Sequence, residues 1–214
     1  MGVSIGRLFS TDIRATGGFF LLLGLYFYLW GIDQPARGAV VCMIIVVSLL
    51  VHEFGHVFAV RRELGSESVV ILWGLGGLCV HEPARTPKQR IVIALGGPLF
   101  TAILALLGGL TFLAVRNGVL PAPHPLVGLA VGALLVINLI WLIFNLLPIM
   151  PLDGGQALEA ILERRMGRPK AQAALRRVST VAACLVIGFA LYIREPFIAV
   201  IAILLLMRNI SGNA

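Results

Sequence analysis

Long apolar stretches broken by short polar ones dominate this chain. A bilayer-spanning helix needs about 20 mostly apolar residues. Six stretches are candidates: residues 16–32, 38–60, 91–115, 126–147, 178–193 and 196–209. The last two are short and are separated only by Arg194, Glu195 and Pro196, which suits a tight helical hairpin. The stretch ESVVILWGLGGLCVHE, 67–82, breaks the helical pattern. Its two β-prone runs flank Gly74, Gly76 and Gly77 and predict a β-hairpin between the second and third spans. The expected fold class is an all-α polytopic membrane protein, with about six transmembrane helices and one short membrane-associated β-hairpin. The stretches 61–90 and 148–177 are too short to build a core alone, so residues 1–214 are read as a single integral-membrane domain.

Composition agrees with that pattern. Hydrophobic residues make up 59% of the 214 positions and charged residues 13%, where a soluble domain is about half apolar and about a quarter charged. The net charge of +7 raises the question of nucleic acid. The basic residues lie in loops between apolar runs, however, which suits an anionic membrane surface and excludes nucleic acid as the expected partner. Lys and Arg fall fourteen to three between alternate compartments. The basic side is cytoplasmic by the positive-inside rule, which puts both termini in the cytoplasm. Cys42, Cys79 and Cys184 are scattered and form neither a disulfide framework nor a metal pair. No removable signal peptide is expected at the N-terminus.

Against this background the stretch LLVHEFGHVF, 49–58, is costly. Glu53 is the one acid inside a span, and intramembrane ionisable groups default to functional sites. On a helix, His52 and His56 share a face and can grip one ion at about 2.0–2.1 Å per Zn–N bond. Glu53 sits beside them, close enough to take a proton from a metal-bound water. Catalytic zinc usually has three protein ligands. Asp153, in NLLPIMPLDGGQ (145–156), is the expected third, and His81 is the reserve. Pro148 and Pro151 stop regular helix, and Gly154 and Gly155 permit a tight reversal that could aim the carboxylate at the ion. His124, in the loop PAPHPL, falls on the opposite side. Asn145 could stabilise an oxyanion, while Asn138 suits an interhelical hydrogen bond.

HEFGH at 52–56 and NLLPIMPLDGG at 145–155, both at the cytoplasmic side, resemble the motifs of the site-2 protease family of intramembrane zinc metalloproteases. The resemblance covers roughly 38–158 and includes Gly96, Gly97 and Pro98. It implies one zinc on His52, His56 and Asp153, with Glu53 activating water. It also implies cleavage in or near the transmembrane segment of another membrane protein, in regulated intramembrane proteolysis. Many members carry a PDZ or CBS domain, and this chain resembles a minimal form, expected in a prokaryotic cell membrane. The hairpin edge at Gly74, Gly76 and Gly77 could take up an extended substrate by strand addition. Two other readings stand beside the enzyme. One is a zinc transporter, although Val57, Phe58 and Ala59 follow the motif where further ligands would be expected. The other is a non-catalytic membrane adaptor.

Overall fold

The computed structural model describes residues 2–74, 76–121 and 124–210. Two compact units divide the chain, one of Met1–Pro83 with Gly96–Leu142, the other of Ala84–Leu95 with Ile143–Ala214.

The first unit begins with strands β1 (Val3–Leu8) and β2 (Thr11–Ala15). They pair antiparallel through a two-residue turn at Phe9 and Ser10, whose φ values are 47° and 61°. Positive φ at both positions gives the twist that a tight hairpin needs, at a steric cost for a bulky residue such as Phe9. Arg61 holds this turn, donating to the Phe9 carbonyl and, at 2.9 Å, to the Thr11 hydroxyl. Helices α1 (Gly17–Gly31) and α2 (Pro35–Leu64) follow. Pro35 starts α2 with its φ already set for helix. Gly65 ends it at φ 65°, donating its N–H to the Arg61 carbonyl at 3.0 Å. Then come β3 (Ser68–Trp73) and β4 (Gly76–His81), paired antiparallel from Ser68↔His81 to Trp73↔Gly76.

The predicted hairpin is therefore present, although residue 75 at its tip lies outside the described residues. It is half of a four-stranded sheet of order β1-β2-β3-β4, because β2 pairs parallel with β3. The all-α expectation is corrected to a mostly helical chain with one small sheet. One face of the sheet is buried through Ile13, Ala15, Val70 and Leu72, packed with Phe19, Leu49, Phe54 and Val57 of α1 and α2.

Helix α3 (Pro87–Arg116) and helix α4 (Pro125–Asn145) are each continuous, and the division between the units falls inside both. Asn138 is the one buried residue of α4, while Val136, Leu139, Ile140 and Ile143 are exposed. A helix that hides its amide and exposes branched apolar side chains is built for a hydrocarbon solvent. In the second unit, α5 (Asp153–Met166), α6 (Arg168–Tyr192) and α7 (Pro196–Ile210) pack in sequence. Ala183 and Ala190 of α6 and Ala202 of α7 are fully buried, as expected where small residues let helices approach. Asn209 donates to the Arg176 carbonyl at 3.1 Å and the Thr180 hydroxyl at 2.9 Å. Arg90 pairs with Glu163.

Helices α2, α3, α4 and α6 are long and apolar enough to cross a membrane. Helices α1 and α7, of 15 residues each, are apolar but shorter than the usual span of about 20. Helix α6 begins well before the expected start at 178.

Candidate metal centre

Helix α2 carries His52, Glu53 and His56 in its buried stretch. Their spacing does what a helix dictates. The two imidazoles face each other across one turn, with Nε2 atoms 3.2 Å apart and ring planes at 78°.

Helix α3 covers them at unusually short range. Gly55 of α2 meets Gly96 of α3 so closely that a Cβ on either would overlap the other's backbone. A crossing of this kind needs small residues on both sides. The next residue, Gly97, lies against the histidines. A Cβ there would overlap His56 Nε2 and come within 2.7 Å of His52 Nε2. One turn further along α3, Thr101 is 1% exposed. Its hydroxyl donates to the Gly97 carbonyl at 3.2 Å and lies 2.8 Å from His52 Nδ1.

These features fit a metal. Two nitrogens bound to tetrahedral zinc at 2.0–2.1 Å stand about 3.3 Å apart, close to the 3.2 Å between the Nε2 atoms. The space a Cβ would fill beside both nitrogens is left open by the glycine at 97. Imidazole nitrogens are also among the donors that zinc favours.

Glu53, 3% exposed, is covered from the sheet side. Strand β4 runs past it, and a Cβ on Gly77 would overlap the Glu53 side chain. Strand β4 is an edge of the sheet. Of the three glycines singled out in the sequence, Gly77 approaches Glu53, Gly76 faces the Trp141 ring, and Gly74 lies against the Gly18 backbone. Cys79 shares the Gly77 face of β4. Burial pushes its thiol up to about 12, and the Glu53 carboxylate adds to the rise.

In the second unit, Asn145 is the last residue of α4 and Asp153 the first of α5. Asp153 is 8% exposed. The turns between them close through hydrogen bonds from Ile149 N–H to the Leu147 carbonyl and from Leu152 N–H to the Ile149 carbonyl, both 2.8 Å. The expected reversal at Gly154 and Gly155 is corrected. Both are helical, neither has a positive φ, and a Cβ on either would overlap the backbone of residues 146–149. Glycine is needed there for close approach, not for backbone conformation. His81 donates from Nδ1 to the Glu82 carbonyl at 2.6 Å. His124 Nδ1 accepts from the Leu126 N–H at 3.3 Å, ahead of α4. Asn138 donates to Ser48 Oγ and to the Leu134 carbonyl, both at 2.8 Å, the interhelical role its position suggested.

Residues 122–189 match the model of peptidase family M50. A Synechocystis protein named as a zinc metalloprotease is 30% identical over 173 residues, covering 75% of this chain and 44% of its own length. Rip3 of Mycobacterium tuberculosis, also named as a zinc metalloprotease, is 37% identical over 131 residues, covering 61% of this chain and 33% of its own. Over these stretches the chain is similar to the M50 peptidases and to zinc metalloproteases. It shares the fold of the solved site-2 protease from Methanocaldococcus jannaschii, with a TM-score of 0.69 at 19% identity, over 100% of this chain and 96% of that one. The chain spans less than half the length of the two curated relatives above. Nothing in the sequence pattern marks Thr101, and Gly97 stands out there only within the family resemblance.

Proposed function

We propose that the chain is an intramembrane zinc endopeptidase that cuts a membrane-protein substrate in or near its transmembrane segment. His52, His56 and Asp153 are the ligands of one zinc ion, Glu53 moves the proton, and Asn145 stabilises the oxyanion. The observation that carries this reading is the pair of buried Nε2 atoms 3.2 Å apart, beside a space that only glycine at 97 leaves open, with a buried carboxylate at the adjacent residue. Asp153 enters as a buried carboxylate of the kind that completes a two-histidine zinc site.

When bound, zinc supplies Lewis acidity, polarising a carbonyl and lowering the pKa of water to about 7. Glu53 takes a proton from the attacking water and passes it to the leaving amine. A transmembrane helix must unwind before its peptide bonds can be attacked. Strand β4 offers an edge to which an unwound segment adds as a further strand, and Gly77 brings that edge beside Glu53. Six crossings with both termini cytoplasmic complete the reading, on a prokaryotic cell membrane.

The test is cleavage of a transmembrane reporter by purified protein. Glu53→Gln is expected to keep zinc and lose activity by about 10²- to 10⁴-fold, whereas Asp153→Asn is expected to lose zinc. Full activity in Glu53→Gln overturns the proposal.

A further inference from the structure

We infer that Thr101 is a positioning residue that fixes the tautomer of His52, so that Nε2 presents its lone pair to the metal. The inference rests on the zinc reading above but stands on a separate observation, the direction of one hydrogen bond.

The Thr101 hydroxyl has a single proton to give. It gives that proton to the Gly97 carbonyl at 3.2 Å, one turn back along α3. The same oxygen lies 2.8 Å from His52 Nδ1. With its proton committed, the oxygen accepts there, and Nδ1 carries the hydrogen. A neutral imidazole with hydrogen on Nδ1 has its lone pair on Nε2. Nε2 is the atom that faces His56 Nε2 at 3.2 Å and the space above Gly97. The opposite direction, Thr101 donating to Nδ1, would put the hydrogen on Nε2 and block ligation.

Burial makes this arrangement strict. Thr101 and His52 are 1% and 4% exposed, so bulk water does not replace the hydroxyl as acceptor. The arrangement is also economical in sequence. Gly97 leaves space at the two nitrogens, and its carbonyl orients the hydroxyl that sets the tautomer. Metal-bound histidines commonly carry such a partner on the second nitrogen, and losing it costs about 10- to 100-fold in metal affinity.

The experiment uses the full chain in detergent. Zinc affinity is measured by competition with a chromophoric chelator for wild type, Thr101→Val and Thr101→Ser. Thr101→Val is expected to bind about 10- to 100-fold more weakly, and Thr101→Ser, which keeps the hydroxyl, to stay near wild type. In parallel, nitrogen NMR of the metal-free, histidine-labelled protein, in a background lacking His81 and His124, reads which His52 nitrogen carries hydrogen. The expected result is Nδ1–H in wild type and in Thr101→Ser, and loss of that preference in Thr101→Val. Wild-type zinc affinity in a folded Thr101→Val, or Nε2–H in the wild-type spectrum, overturns the inference. Absence of zinc binding in wild type would instead sink the proposed function, and the metal-free spectrum would still decide the role of Thr101.

Discussion

In the proposed zinc site, the single hydrogen atom of the residue at position 97 is what leaves room for an ion. Any larger side chain puts carbon against Nε2 of both His52 and His56, and the rings have little freedom to retreat. His52 is held by Thr101, and both rings are buried. Gly97→Ala is expected to abolish zinc binding while leaving a folded protein, read as metal content after gel filtration. Cys79 makes a different prediction. Its thiol, pushed up to about 12 mainly by burial, lies above the ordinary value of about 8.5. The neutral thiol therefore favours the folded state fully below that ordinary value, and the contribution is lost as pH rises through 12. Alkylation of Cys79 at pH 9, followed by mass spectrometry, is expected to be much slower in folded than in denatured protein. The histidines were legible in the sequence because two imidazoles four residues apart on an apolar helix have few other uses. Gly97 and Thr101 were not legible, because Gly-Gly and Thr occur throughout apolar helices. Their roles depend on a partner helix more than forty positions away in sequence.

At the scale of elements, the long helices announced themselves through apolar runs, and the hairpin through its glycines. Strands β1 and β2 did not. They have six and five residues, and Asp12 and Arg14 on the outer face of β2 pair with each other at 2.8 Å, so the segment reads as a polar arm. Strand β2 pairs with its neighbour β1 and also with β3, which lies beyond two helices, and no local pattern encodes that second pairing. Helix α5 was hidden similarly, inside a stretch read only as non-spanning. Between α2 and α4, the Ser48–Asn138 hydrogen bond is a defined point of attachment. Asn138→Leu is expected to destabilise the protein by about 0.6–2 kcal/mol, seen as a lower midpoint of thermal unfolding in detergent. Zinc content should be unchanged.

For the molecule as a whole, the parallel pairing of β2 with β3 settles a matter of parity. Everything between Ala15 and Ser68 is helix or short connection, and it starts and finishes in adjacent strands of one sheet. Helices α1 and α2 must therefore make an even number of crossings, whatever the length of α1. Cysteines placed at the exposed positions Ile5 and Glu82 are then expected to react with a membrane-impermeant reagent from the same face of sealed vesicles. Labelling from opposite faces would be incompatible with the sheet. A further consequence concerns biosynthesis. Strand β2 leaves the ribosome well before β3 exists, so it waits on its side of the bilayer until α2 has come back. A chain that inserted α1 or α2 the wrong way round would strand β2 and β3 in different compartments. The β2–β3 pairing is thus open only to a chain whose α1 and α2 return β3 to the side on which β2 lies, and β4, the edge that runs past Glu53, is built on that pairing.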